Sequence, residues 1–239
     1  MKQLILAAGK GTRLGIGETN KCLVKINGKT LLDYNLELGN EIHREKTILV
    51  VGHNEQYIRD YMSIHYQNLS ICYVRQQPLQ GIAHAVMLAS EKIDSSFFMC
   101  LSDELLFKPK IKQMLDFFNK SGADCVCGMV ADSIDNIKKS YTMDINNDKK
   151  ITRLVEKPHE VFNSYKGTGY CMMSQSMLSV LIDLKPNKVR NEYEMGDWIQ
   201  LAIDKGLKCF SYEIAKYDFN INEPNDITAV MRAFAEECK

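Results

Sequence analysis

The sequence predicts an α/β domain built on a mostly parallel sheet, and three observations predict it. Short apolar runs of strand length alternate with helical stretches through the first hundred residues. The first of these runs ends in a glycine-rich loop, "AAGKGTRLG". Beyond Ala123 the rhythm turns strand-rich, then returns to helices. Strands separated by helices imply βαβ units, whose crossovers make neighbouring strands parallel.

Taken in order, "QLILAA" reads as a buried strand, and "TLLDYNLELGNEI" as a helix with Thr30 and Asp33 at capping-box spacing. "KTILVVG" is a strand, and "NEQYIRDYMSIH" a helix opened by Asn54. "LSICYV", "GIAHAVMLASEKI" and "SFFMCLSD" read as strand, helix and strand. "IKQMLDFFNKSG" is a helix stopped by Gly122. "ADCVCGMV", "SYTMDINNDKKITRLVEKP" and "KGTGYCMM" are strand-rich, with a hairpin turn at Asn146-Asn147-Asp148. Helices follow at "SMLSVLIDL" and "MGDWIQLAIDKG", strands at "KCFSYEI" and "YDFNIN", and a last helix at "EPNDITAVMRAFAEEC". The expected organisation is one domain over residues 1–239. Residues 1–122 are expected to form a nucleotide-binding half and 123–239 a substrate-binding half on the same sheet.

Composition narrows the function classes. The 239 residues are 45% apolar, which suits a packed core rather than disorder. Thirty basic residues balance thirty acidic ones, so no charge excess points to nucleic acid or an anionic membrane. The N-terminus does not read as a signal peptide, no apolar run reaches spanning length, and a cytoplasmic location is expected. Most of the eight cysteines sit in apolar strand-like segments, and Cys125-x-Cys127 is no standard zinc pair, so buried free thiols are expected.

The glycine loop fits neither of two familiar phosphate motifs. A P-loop would need glycine at position 4, where Leu4 stands, and Ser or Thr after the lysine, where Gly11 stands. A dinucleotide fingerprint would need glycine at position 14, where Leu14 stands. Glycines after a strand still let successive N–H groups face an anion, and Lys10 and Arg13 add positive charge. The same loop could be an ordinary strand-ending turn with two solvated cations. Ligands of open α/β sheets bind beyond the carboxyl ends of strands, where Ser102-Asp103 and "RQQPLQGIAHA" also fall. An acid there, facing a phosphate cradle, suits Mg²⁺, although a lone Asp at a strand end is more often a turn former.

In order along the chain, "LAAGKGTRLG…NKCLVKINGKTLLDYNL", "QQPLQGIAHAV", "LSD", "VEKP", "GTGYCMM", "NEYEMGDWIQ" and "FNINEPNDI" closely resemble the sugar-1-phosphate nucleotidyltransferases, the nucleotide-sugar pyrophosphorylases. Asn20 stands where that family has Pro or Ser before its lysine, Lys21. The resemblance covers residues 3–227 and implies a single-domain, Rossmann-like three-layer α/β/α (GT-A-like) fold with a mixed, mostly parallel sheet. It implies a Mg²⁺-dependent attack by a sugar 1-phosphate on the α-phosphorus of a nucleoside triphosphate, releasing pyrophosphate. By the same resemblance Arg13, Lys21 and Asp103 are catalytic. Leu6, Ala7, Ala8, Gly9, Lys10, Gly11, Thr12, Gln76 and Gly81 bind the nucleotide, with Gln76 reading a pyrimidine, UTP or dTTP ahead of CTP. Glu156, Lys157, Gly169 and Glu194 bind the sugar phosphate. Asp103 and Asn222, with Asn220 a lesser candidate, hold Mg²⁺. His84, Trp198 and Met172-Met173 read as packed residues. The competing readings are a cytidylyltransferase acting on phosphocholine or a similar small phosphate, and a silent nucleotide-sugar-binding regulatory subunit. No repeat-built acetyltransferase domain is expected at this length, no nucleic acid or membrane partner is expected, and a homo-oligomer is allowed.

Overall fold

β1 (Lys2–Ala7) is buried over all but its first residue and runs through the middle of the main sheet. The computed structural model describes residues 1–11 and 20–236. β2 (Lys25–Ile26) and β3 (Lys29–Thr30) form a small hairpin that leads into α1 (Leu31–Glu41). The predicted capping box is present: Thr30 Oγ1 accepts from Asp33 N, and Asp33 returns a bond to Thr30 N. β4 (Thr47–Val51), α2 (Glu55–His65), β5 (Ile71–Arg75), α3 (Ile82–Ala89) and β6 (Phe97–Leu101) follow. Asn54 precedes α2 as expected but lies in the left-handed region at φ 55° and makes no side-chain cap bond.

β7 (Glu104–Phe107) precedes α4 (Ile111–Ser121), which Gly122 stops in the left-handed conformation. β8 (Cys125–Ala131), α5 (Ile134–Ile137), β9 (Tyr141–Ile145), β10 (Ile151–Glu156) and β11 (Tyr165–Met173) make up the strand-rich stretch. The chain ends on α6 (Ser176–Val180), α7 (Met195–Asp204), β12 (Cys209–Glu213), β13 (Tyr217–Asn220) and α8 (Pro224–Glu236).

Seven strands form the main sheet, in the order β12-β8-β11-β6-β1-β4-β5. Only β11 runs antiparallel to its neighbours, so the sheet is mixed and mostly parallel. Strand alternation divides the core in two. Leu4, Leu6, Val50, Phe97 and Met99 face α3 and α7, packing with Val86, Trp198 and Ile199. Ile5, Ala7, Leu49, Phe98 and Cys100 face α1, α2 and α4, packing with Leu36, Ile58 and Met114. This is the expected three-layer α/β/α arrangement. All seven cysteines among the described residues are free, and the sulfurs of Cys125, Cys127 and Cys171 lie within 4.8 Å of one another in the core.

Two strands depart from the sequence reading. "YDFNIN" does not join the main sheet. It pairs as β13 with β7, which begins just after "SFFMCLSD" and has no counterpart in the sequence reading. The hairpin β9–β10 likewise stands apart from the sheet, and α7 packs on β10.

The β7–β13 ribbon sits over a buried charge network. Lys166 Nζ lies 3.0 Å from Asp132 Oδ2 and 3.1 Å from Asp218 Oδ2, and donates to the Asp218 carbonyl at 2.8 Å. Glu104 and Asp218 are also buried, and burial raises both carboxyls. Burial works against the Lys166 ammonium, but Asp218 and Asp132 outweigh it and raise its pKa. Removing the one cation would leave acids in a dry site, which costs about 3–5 kcal/mol. Lys166→Met is therefore expected to lower the melting temperature by on the order of 10 °C. Thr30→Ala, which loses only a cap worth about 1 kcal/mol, should lower it by roughly 3 °C. Equal shifts in the two variants, read by differential scanning calorimetry, would contradict this ranking.

Candidate active site

The carboxyl ends of β1 and β6 lie side by side, with Leu6 in register with Leu101 and Ser102 N donating to Leu6 O at 3.1 Å. The glycine loop and Asp103 therefore leave the sheet together. Ala8 is buried, Gly9 and Lys10 are exposed, and the Ala8 carbonyl accepts from His53 N. Gly52 packs so closely that a Cβ on it would lie 2.8 Å from Ala8 O. Gly11 has φ +61°, and a Cβ there would lie 2.8 Å from Lys21 Cβ. Only glycine serves at that point, and it brings the loop onto the stem of Lys21.

Asn20 explains the local departure from the Pro/Ser pattern. Its Oδ1 caps the short 3₁₀ turn Lys21–Leu23 by accepting from Cys22 N, and its Nδ2 donates to His53 O. The base of Lys21 is thereby pinned to the loop after β4. Lys21 is buried, and its ammonium donates to Asp103 Oδ2 at 2.7 Å and to Asn222 Oδ1 at 2.9 Å. Asn222 is held by its neighbours: its N–H donates to Asp226 at 2.7 Å and its amide nitrogen to Asn220 Oδ1 at 2.6 Å. A donor-only ammonium facing Asn222 fixes the amide with its oxygen toward Asp103. One carboxylate and one amide oxygen converging on a cation are hard-oxygen groups of the kind Mg²⁺ takes, and in this structure the Lys21 ammonium lies between them. Asn220 is exposed and its oxygen already accepts from Asn222.

At the other side of the loop, Gln76 is buried and donates from Nε2 to Gly81 O at 2.9 Å, with His84 Nδ1 3.3 Å away. Burial lowers the pKa of His84, and its ring stacks on Tyr193. Gly81, at φ +98°, packs against the Tyr193 backbone, where a Cβ would come within 2.5 Å of the carbonyl oxygen. Ala83 N donates to that same oxygen. The segment carrying Gln76 is thus docked on the residue next to Glu194.

Glu194 sits at the start of α7 without capping it, and its carboxylate meets the Arg190 Nε and lies 3.7 Å from Lys157 Nζ. Glu156, at the end of β10, is pushed up to about 7, chiefly by burial and then by the Glu194 charge. Gly196 allows the approach, since a Cβ there would lie 2.6 Å from Glu156 Oε2. Lys157 holds a left-handed backbone at φ 45°, a conformation that costs a non-glycine residue about 1 kcal/mol and tends to occur at working sites. Gly169 lies in the irregular stretch of β11 between Gly167 and Cys171, so the local bulge is real. A Cβ on Gly169 would strike Leu101, and its N–H donates to Glu104 Oε2 at 2.6 Å. Glu104 in turn adjoins Asp103.

The structure therefore links Leu6, Ala7, Ala8, Gly9, Lys10, Gly11, Lys21, Asp103 and Asn222 at the strand ends, Gln76 with Gly81, and Glu156, Lys157 and Glu194 in one charged cluster. Arg13 and Thr12 lie outside the described residues. Sequence reasoning missed Arg190, Glu104 and Lys166. Glu104 and Lys166 had a signal, being charges inside the apolar strands "ELLF" and "YKGTGYCMM". Arg190 had none, because its turn has no periodicity. Trp198, Met172 and Met173 are core, as expected.

Similarity to known proteins agrees with this geometry. The UTP–glucose-1-phosphate uridylyltransferase AglF of Haloferax volcanii is 27% identical over 99% of this chain and 98% of its own. The bifunctional protein GlmU of Methanococcus maripaludis is 30% identical over 98% of this chain, which spans only 54% of that protein's length. A UDP-glucose pyrophosphorylase solved with UDP-glucose has the same fold, with a TM-score of 0.87 at 21% identity, covering 99% of this chain and 98% of that one. Among the described residues no helix is long and apolar enough to cross a membrane. The family described as nucleotidyl transferase matches residues 2–220. The chain belongs to the nucleotidyl transferase family.

Proposed function

We propose that this protein joins a nucleoside triphosphate, UTP or dTTP, to a sugar 1-phosphate, giving a nucleotide sugar and pyrophosphate, with Mg²⁺ as the metal. The observation that carries the reading is the Lys21 ammonium bridging Asp103 and Asn222 where the glycine loop leaves the sheet. AglF, similar along the whole chain, is named for UTP and glucose 1-phosphate, so that pair is the first to test.

The attacking sugar phosphate is itself the nucleophile. Its second pKa is about 6, so it is largely dianionic at neutral pH and needs no general base. The difficulty is bringing two anions together. Leu6 to Gly11, with Thr12, line the base and phosphates, while Lys10, Arg13 and Lys21 offset phosphate charge. Asp103 and Asn222, with Asn220 the lesser candidate, would hold Mg²⁺, which when bound neutralises charge on the triphosphate. Gln76 reads the base. One of its two amide hydrogens goes to Gly81 O and the nitrogen also lies 3.3 Å from His84 Nδ1, which leaves its carbonyl oxygen to accept the N3–H of uracil or thymine that cytosine lacks. Lys157, Glu156, Glu194 and the Gly169 backbone receive the sugar phosphate in the second half of the chain. Fixed geometry and electrostatics then supply the rate.

A screen of five triphosphates against several sugar 1-phosphates, reading pyrophosphate release, tests the reading. Turnover of UTP or dTTP with a hexose 1-phosphate supports it, and turnover only of CTP with phosphocholine replaces it. Asp103→Asn should still fold, read by circular dichroism, and lose about 10³-fold in turnover at saturating Mg²⁺. Lys157→Ala should raise the KM for the sugar phosphate about tenfold, the worth of one charged hydrogen bond, and leave that for the triphosphate nearly unchanged.

Glu156 gives a test without substrate. Its folded carboxyl is raised from 4.5 to about 7, so the folded state binds this proton more tightly than the unfolded one. Its contribution to stability is present below pH 4.5 and is lost as pH rises to 7. Glu156→Gln should therefore be more stable relative to wild type at pH 8 than at pH 4.5, by several degrees in melting temperature. An equal difference at the two pH values would remove this role for burial.

A further inference from the structure

We infer that Lys21 is a place-holding cation: its ammonium occupies the metal position of the nucleotide-free protein, and the triphosphate must draw it away before a divalent ion can load. The inference rests on the reading of Asp103 and Asn222 as metal ligands. Lys21 Nζ sits 2.7 Å from Asp103 Oδ2 and 2.9 Å from Asn222 Oδ1. A Mg²⁺ ion bound to the same two oxygens would lie about 2.1 Å from each. Ammonium and metal would then share both ligands within a few ångströms, which like charge and van der Waals size forbid together.

Charge also argues for exclusion. Asp103 brings one negative charge and Asn222 none, so the single charge of Lys21 already neutralises the pair. A divalent ion entering beside the ammonium would meet a pair whose charge is already balanced. A triphosphate changes that balance, because its oxygens supply acceptors for both cations. The stem of Lys21 is packed against Gly11, and Asn20 pins its backbone. The ammonium can therefore swing on a fixed base from Asp103 to a phosphate held by the loop. Metal loading becomes dependent on nucleotide, and a bare metal ion does not compete for the open site.

The test is direct Mn²⁺ binding to nucleotide-free protein, read by electron paramagnetic resonance. Wild type should bind Mn²⁺ weakly at this site. Lys21→Met should bind it at least tenfold more tightly, and adding Asp103→Asn should abolish the gain. Lys21→Arg, which keeps a cation, should stay near wild type, and circular dichroism melts report whether each variant folds. No gain in a folded Lys21→Met overturns the inference. A separate arm tests the metal reading: Mn²⁺ with wild type and a non-hydrolysable triphosphate should lose its protein-bound signal in Asp103→Asn. If that signal persists, the metal ligands are wrong and both ideas fall. If it is lost while Lys21→Met shows no gain, only the place-holding role falls.

Discussion

The Glu104 carboxylate, buried and accepting the Gly169 N–H at 2.6 Å, is the contact on which the site's geometry depends. Glu104 directly follows Asp103. In the ribbon of β7 and β13 it stands opposite Asn220, and Ile221 N donates to the Asp103 carbonyl. Its own carbonyl accepts from Tyr170 Oη and from Asn35 Nδ2 on α1. One residue thus joins the acid at the end of β6, the closing strand, the bulged strand β11 and the first helix. Buried charges are poor devices for raw stability, because desolvation cancels most of their attraction. What Glu104 and the Lys166 network supply is register, since a slip of one residue in β7 would aim Asp103 to the opposite face.

The close approaches of β11 follow from this tie. Gly167 makes way for the Tyr141 ring and Gly169 for Leu101, each at distances a side chain would not survive. The irregular pairing between Gly167 and Cys171 turns the Gly169 backbone out of the ladder with β8, and Glu104 fixes it there. Backbone positioned by a buried acid rather than by a neighbouring strand can face a ligand without fraying the sheet.

Most of the fold was legible because local rules decide it. The period of "QLILAA", the capping box at Thr30 and Asp33, Gly122 and the Asn146 turn each act within a few residues. The pairing of β7 with β13 was not legible, because it joins segments more than a hundred residues apart with no turn to fix their register. Asn54 opens α2, as its identity suggests. Its identity suits a cap, but the bend after β4 forces it to φ 55°, where its side chain cannot reach the helix amides. In the site, the motifs single out Lys21, Asp103 and Asn222 from three separate stretches of sequence. Their convergence, across 82 and 201 residues of sequence, is visible only in three dimensions. Arg190, which meets Glu194 from a turn, belongs to the same class.

The neutral side chain at Asn222 has a physical consequence. With a carboxylate there, two negative charges would face one ammonium, and the site would attract a divalent ion even when empty of nucleotide. With an amide, Lys21 balances Asp103 alone, and the resting triad carries no net charge to recruit a metal. On the proposed reading the amide oxygen would still serve as a ligand, because Asn220 and Asp226 hold Asn222 in place. Under the place-holding proposal, affinity for free metal would be exchanged for dependence on the polyanion that brings the metal in. The glycine loop, Lys21 and the two oxygens would then act as one unit, responding to the triphosphate rather than to either cation by itself.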